Sequence, residues 1–243
     1  MELERTVFSS DDPFEINEAL VEKAFCYKQC GRFQDAVSTL GRVRMYMLEP
    51  ADQAKVLYER ELCCYLAGDA AAAAAYIDEA DAAGVTPDVP RLVLDAVVLG
   101  ECGRWDESQA RAEELMRSIY EGEALEWALT DVRTFYSGKP KLKNVDTAIS
   151  RAFLPPLGHL YTWNGSEGAL SAALNLVAAA WCVWQCAGGN WISGLLGGGM
   201  ALNYTFMGNL ERSSWLVEKY NHDVMREFND SLRKMILSHS EAE

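Results

Sequence analysis

From Gly168 to Leu210 the chain has no aspartate, glutamate, lysine or arginine, forty-three positions in a row. That absence excludes an ordinary water-facing helix, which needs a polar stripe on its solvent side. The hydrocarbon core of a bilayer is about 30 Å thick and takes about 20 mostly apolar helical residues per crossing. The charge gap is therefore long enough for two crossings. Ala187-Gly188-Gly189-Asn190 supplies a break between them.

Other absences narrow the chemistry. There are three histidines, His159, His222 and His239, and none has a catalytic or metal-binding spacing. Cys26/Cys30 and Cys182/Cys186 are i, i+4 pairs with no histidine cluster beside them, so no metal is expected. Seven cysteines, an odd count without secretory features, read as reduced thiols. No nucleophile elbow, P-loop or dinucleotide fingerprint occurs, and Gly197-Gly198-Gly199 lacks the Lys-Ser/Thr of a phosphate loop. A hidden acid–base role for His159 is outweighed by a structural one, so neither an enzyme nor a cofactor is expected. The start, MELERTVFSSDDPFE, has no apolar run of the kind a signal peptide carries. An excess of basic residues is also missing. Residues 1–138 hold 27 acidic and 13 basic side chains, residues 139–243 hold 9 of each, and the total is net −14. This excludes nucleic acid, whose phosphates need Lys and Arg.

Within the uncharged stretch, one arm runs over about 169–187 and a second over about 191–210. Gly194 and Gly198 form a G-x-x-x-G step, which lets two helix backbones approach in lipid. Asn175 and Asn203 lie at similar depth from the turn. Each carries an amide that hydrocarbon cannot satisfy, so both are expected to face protein and to pair with each other. Lys139, Lys141, Lys143 and Arg151 precede the stretch; Arg212 and Lys219 follow it. By the positive-inside rule both flanks face the cytoplasm, as in a bacterial inner membrane; an upstream signal segment, if removed, reverses this orientation.

The first half repeats. Residues 24–43, 61–80 and 96–115 align on Gly31, Gly68 and Gly103, which lie 37 and 35 residues apart. A small residue follows each glycine five positions later (Ala36, Ala73, Ser108), and an apolar or small one nine later (Leu40, Ile77, Ala112). Glu61 breaks the pattern where Ala24 and Ala96 stand. This spacing resembles the tetratricopeptide repeat (TPR), a helix–turn–helix unit of about 34 residues. Asp11 or Asp12 with Pro13 marks the first helix start.

Pro155, Pro156, Gly158, His159 and Tyr161 form a short segment before the charge gap. The order of repeats, segment and apolar arms resembles a bacterial family of membrane proteins with TPR-like repeats and a Pro-Gly-x-Gly-Gln-x-Tyr motif. Pro156 stands for that motif's glycine and His159 for its glutamine. The resemblance implies a membrane-attached repeat protein of no known activity.

The expected fold is all-α. It comprises a TPR-like helical solenoid (1–138), a basic linker with a short interfacial segment (139–167), a two-helix transmembrane hairpin (168–210) and a C-terminal amphipathic helix and tail (211–243). The expected function is a membrane-anchored scaffold for a protein or peptide partner, with membrane lipid as a second partner. Lys28 and Arg60 are the expected groove residues, since a solenoid binds through the first helix of each pair. The C-terminal helix leaves room for a homo-oligomer. The alternative is a wholly soluble helical protein, with the 168–210 hairpin as core and an apolar small molecule bound between helices.

Overall fold

A computed structural model describes residues 2–240, and every regular element among them is helical. The chain falls into two compact units. The first holds the residues up to Lys139 together with those from Phe228 onward; the second is Pro140–Glu227.

The first unit is built from helix pairs: α2 (Pro13–Gln29) with α3 (Phe33–Leu40), α4 (Pro50–Leu66) with α5 (Ala70–Ala82), and α6 (Val89–Glu101) with α7 (Trp105–Ile119). Their starts follow from the sequence. Asp12, Asp69 and Asp88 each accept a hydrogen bond from a first-turn amide, and Pro13, Pro50 and Pro90 occupy first-turn positions where no amide hydrogen is needed. Six alanines in a row open α5, the residue type with the highest helix propensity.

The three aligned glycines occupy equivalent positions. Gly31, Gly68 and Gly103 follow the first helix of each pair with φ of 71°, 82° and 72°. At each turn the glycine amide donates to the carbonyl three residues back, and the next amide reaches five back: Arg32 to Tyr27, Asp69 to Cys64, Arg104 to Leu99. This double bond closes a helix end only if one residue adopts the left-handed conformation, which glycine does at least cost. The positions five later, Ala36, Ala73 and Ser108, are completely buried, so the second helix of each pair closes onto the first there. The Ser108 hydroxyl bonds the Ala96 carbonyl at 2.6 Å and the Tyr136 hydroxyl at 2.7 Å.

Three apolar clusters run along this unit. One joins Leu20, Leu40 and Val56, the next Cys64, Ile77 and Val98, and the third Leu92, Leu115 and Val132. The third also takes Leu232 and Ile236 from the chain end, with Phe228 against Trp105 and Phe135, and with α8 (Gly122–Ser137) as a wall. An amphipathic end helix was expected from this spacing. A short helix α1 (Glu2–Ser9) was not. Its Val7 packs on the first cluster and its Glu4 pairs with Lys23 and Arg42.

Glu61, the residue that breaks the repeat pattern, is completely buried. Its carboxylate lies 3.3 Å from the Arg91 guanidinium and hydrogen-bonds the Asp95 carboxyl, which is held 3.3 Å from Arg111. Burial, then the Asp95 charge, push the Glu61 carboxyl up to about 9. Repeat two therefore replaces a small apolar residue with one member of an interior charge cluster.

The second unit contains α9 (Val145–Ala152), α10 (Leu157–Leu160), α11 (Gly165–Ala187), α12 (Trp191–Ser193), a π-helical stretch Gly194–Gly199, and the greater part of α13 (Met200–Ser240). The expected division at 210/211 is not a break. The helix passes through it, because nothing between Leu210 and Glu211 ends helical hydrogen bonding and no glycine or proline stands there.

Candidate functional site

Two features of the molecule are shaped for contact with something else, one in each unit. In the second unit it is the apolar surface of the charge-free stretch. Among the described residues α11 alone is a helix long and apolar enough to cross a membrane. Its 23 residues span about 34 Å at 1.5 Å per residue. Very little of it is buried. Leu176, Val177 and Val183 are each about two-thirds exposed, as are Trp184, Leu195, Leu196 and Met200 across and beyond the turn. The expectation that these residues form the core of a soluble fold is not met in this chain.

α11 and the chain after Asn190 run antiparallel. Cys186 meets Gly194, Cys182 meets Gly198, Asn175 meets Thr205, and Ser171 meets Asn209; the numbers of every pair add to 380. Gly194 and Gly198 are buried at this seam. A Cβ on Gly198 would sit 2.6 Å from Cys182 Cα and 2.9 Å from its amide nitrogen. The contact is thus with backbone, as a G-x-x-x-G step provides. Gly197, one residue away, meets nothing within 4 Å. Gly198→Ala should lower stability in mild detergent by about 1–3 kcal/mol through overpacking. Gly197→Ala should leave it equal or higher, by up to about 1 kcal/mol from helix propensity. Denaturation midpoints of the two purified variants check this, and equal midpoints would refute the seam.

The seam's polar atoms are satisfied internally. Thr205 donates to Asn175 Oδ1 at 3.2 Å, Asn175 to the Ser171 carbonyl at 2.9 Å, Ser171 to Asn209 Oδ1 at 2.8 Å, and Asn209 to the Ala152 carbonyl at 2.6 Å. Asn175 is buried as expected. Asn203 is not: it is exposed, and Thr205 occupies the place facing Asn175. Counting from the turn gives depth but not azimuth, and two residues along a helix is about 200° around it.

At the open end of the pair, Arg212 holds Glu167 through two bonds of 2.9 and 3.0 Å. The motif segment packs there. Pro155–Pro156 is a cis bond, Gly158 lies against Ala152 and Ser213, and Gly168 against Pro156 and His159. A side chain at either glycine would collide with these neighbours. His159 is buried, its Nδ1 3.5 Å from Ser213 Oγ, and burial lowers its pKa so that the imidazole is neutral at pH 7. The Tyr161 hydroxyl accepts from the Asn144 amide, its carbonyl accepts from Lys143 Nζ at 2.6 Å, and its ring lies under Arg151. The Lys143 ammonium also stands 4.0 Å from the Tyr220 ring centre, and Arg212 stands 4.1 Å from that of Trp215. Cations on aromatic faces close to an apolar surface suit the headgroup layer of a bilayer.

The first unit's feature is a groove of about 640 Å³ between α2 and α4. Val21, Ala24, Phe25, Leu48 and Val56 line its apolar floor. Phe14 and Phe25 remain 60% and 50% exposed, although each is a large ring on a helix whose other face is core. Four carboxylates, Glu18, Glu22, Asp52 and Glu59, line the rim; Lys55 is the one cation lining it, and its ammonium sits 2.8 Å from Asp52. Lys28, an expected groove residue, stands beside the rim with its ammonium on Glu59 and 5.4 Å from the Phe25 ring centre. Arg60, the other, points inward. It is buried and donates to the Leu40 carbonyl at 2.7 Å, so it serves packing rather than recognition. The carboxylates that rim the groove were not singled out in the sequence, where they look like any solvated acidic face. Among the described residues no cluster of three metal-ligating side chains occurs. Comparison with protein-family models, with curated proteins and with solved structures gives no match.

Proposed function

We propose that the protein is a membrane-anchored scaffold. A TPR-like helical solenoid presents a groove to a protein or peptide, and a hairpin made of α11 and the chain after Asn190 holds it at a bilayer. The observation that carries this reading is an apolar, charge-free surface turned outward while its polar seam is turned inward. Such a pair is costly in water, because its Leu, Val and Trp side chains stay wet at about 25 cal/mol per Å² of apolar area. In hydrocarbon the same pair is favourable, since every backbone group is bonded within its helix and the seam amides have partners. Glu167 and Arg212 meet at one end of the pair, so both flanks lie on one side of the membrane. The similarity of this order of elements to the bacterial repeat family points the same way.

Flotation tests it. The full chain, expressed with liposomes present and no detergent, should rise with the lipid through a density gradient and resist extraction at high pH. Purification as a monodisperse monomer in plain buffer would overturn the anchor and favour the soluble alternative.

A further inference from the structure

We propose that the α2–α4 groove receives a basic amphipathic peptide, one with Leu- or Phe-type side chains on one face and Lys or Arg flanking them. The inference rests on the scaffold reading only in taking the first unit to be a binding module; it does not depend on the anchor. Phe14, Val21 and Phe25 lie at i, i+7 and i+11 of α2, one stripe along the groove, with Glu18 and Glu22 beside it. Across the gap, Asp52, Val56, Glu59 and Cys63 form the matching stripe of α4. An apolar floor between two acidic walls attracts a cationic ligand electrostatically and anchors it by burial. The carboxylate balance also decides against a second copy as occupant. The chain is net −14, with all the excess in the half that carries the groove. Like charge would oppose such a pair.

The test uses the full chain in an uncharged detergent, with empty micelles as blank and fluorescence anisotropy of labelled helix-forming peptides as readout. Three peptides are compared: one with a Leu/Phe face and Lys flanks, one with Glu in place of every Lys, and one of the basic composition scrambled so that no apolar face forms. The basic amphipathic peptide should saturate, and the other two should bind about tenfold more weakly or worse. Raising salt from about 50 to about 500 mM should weaken it severalfold, since rim charges are exposed and screened. Glu18→Lys with Glu22→Lys should reverse the preference between the Lys and Glu peptides. Phe25→Ala should weaken both, and Glu123→Lys on α8 should change neither. All of these positions are on the surface, and circular dichroism confirms that each variant is folded.

Equal affinity for the Lys and Glu peptides, no saturable binding to any, or indifference to the α2 charge reversal would overturn the proposal. So would a dimer in sedimentation that Phe25→Ala dissolves, because a second copy would then fill the groove. Failure here and failure of the anchor separate cleanly. A chain that floats but shows no charge-selective binding keeps the anchor and loses the groove; one that binds selectively but stays in plain buffer does the reverse.

Discussion

Val177→Arg combined with Met200→Arg should leave the chain at the bottom of a flotation gradient while the unaltered protein rises with the liposomes. Both side chains face outward, 69% and 67% exposed, toward the middle of the antiparallel pair. An arginine at the centre of a crossing helix costs about 2.5–3.5 kcal/mol on insertion scales. Two therefore shift partitioning by about four orders of magnitude. Snorkelling offers little relief there, since a side chain placed midway must cross about half of the 30 Å core to reach headgroups. Leu142→Arg, an exposed apolar residue outside the charge-free stretch, should float as before. If the double variant floated unchanged, lipid would not be the solvent for this surface. In a soluble protein the same substitutions would be neutral or would aid solubility, so the two readings predict opposite signs.

The second large effect is in the interior of the first unit. Glu61→Ala should cost about 3–5 kcal/mol, because it removes the carboxylate from a buried pair and leaves the Arg91 charge behind. Glu61→Gln keeps the shape and the hydrogen bonds and should cost far less. It should also change the pH response. The Glu61 carboxyl titrates near 4.5 when unfolded and at about 9 in the fold. Between those values the folded chain holds the extra proton, so the contribution of this group falls as pH climbs from about 5 to 9. Physically, one proton is shared between Glu61 and Asp95, and its loss leaves two buried anions side by side. Denaturant titrations of the detergent-solubilised chain at pH 5, 7 and 9, followed by far-ultraviolet circular dichroism, should show that decline. The glutamine variant should show it flattened. A wild-type stability that rises through pH 9 would contradict the shared proton.

Much of the fold was visible in the sequence because it follows from local rules. Three glycines near a 35-residue spacing marked three helix ends that demand left-handed φ, and aspartate–proline pairs marked helix starts. What stayed hidden was azimuth. Asn203 has the depth predicted for it and the opposite face; Arg60 lies on the right helix and turns inward. Spacing fixes how far along a helix a residue sits, whereas the packed neighbour decides which side is in. α1 was missed for a related reason. Eight residues form a helix too short to be stable alone, and only its docking through Val7 and Glu4 holds it. Glu61 was seen as a departure from the repeat, but its partners come from α6, 30 and 34 residues away.

The π-helical turn Gly194–Gly199 sets the phase of everything after it. A π turn carries one more residue than an α turn over the same angle. Removing a single residue from that run would let it close as α-helix and swing the following chain by about 100°. Thr205 and Asn209 would then leave Asn175 and Ser171 facing bare methyl groups, with side chains now near the seam taken out to lipid. The length of this glycine-rich turn is for that reason held more tightly than its composition. Exchanges at Gly197 change little, and a one-residue deletion there unkeys the whole seam.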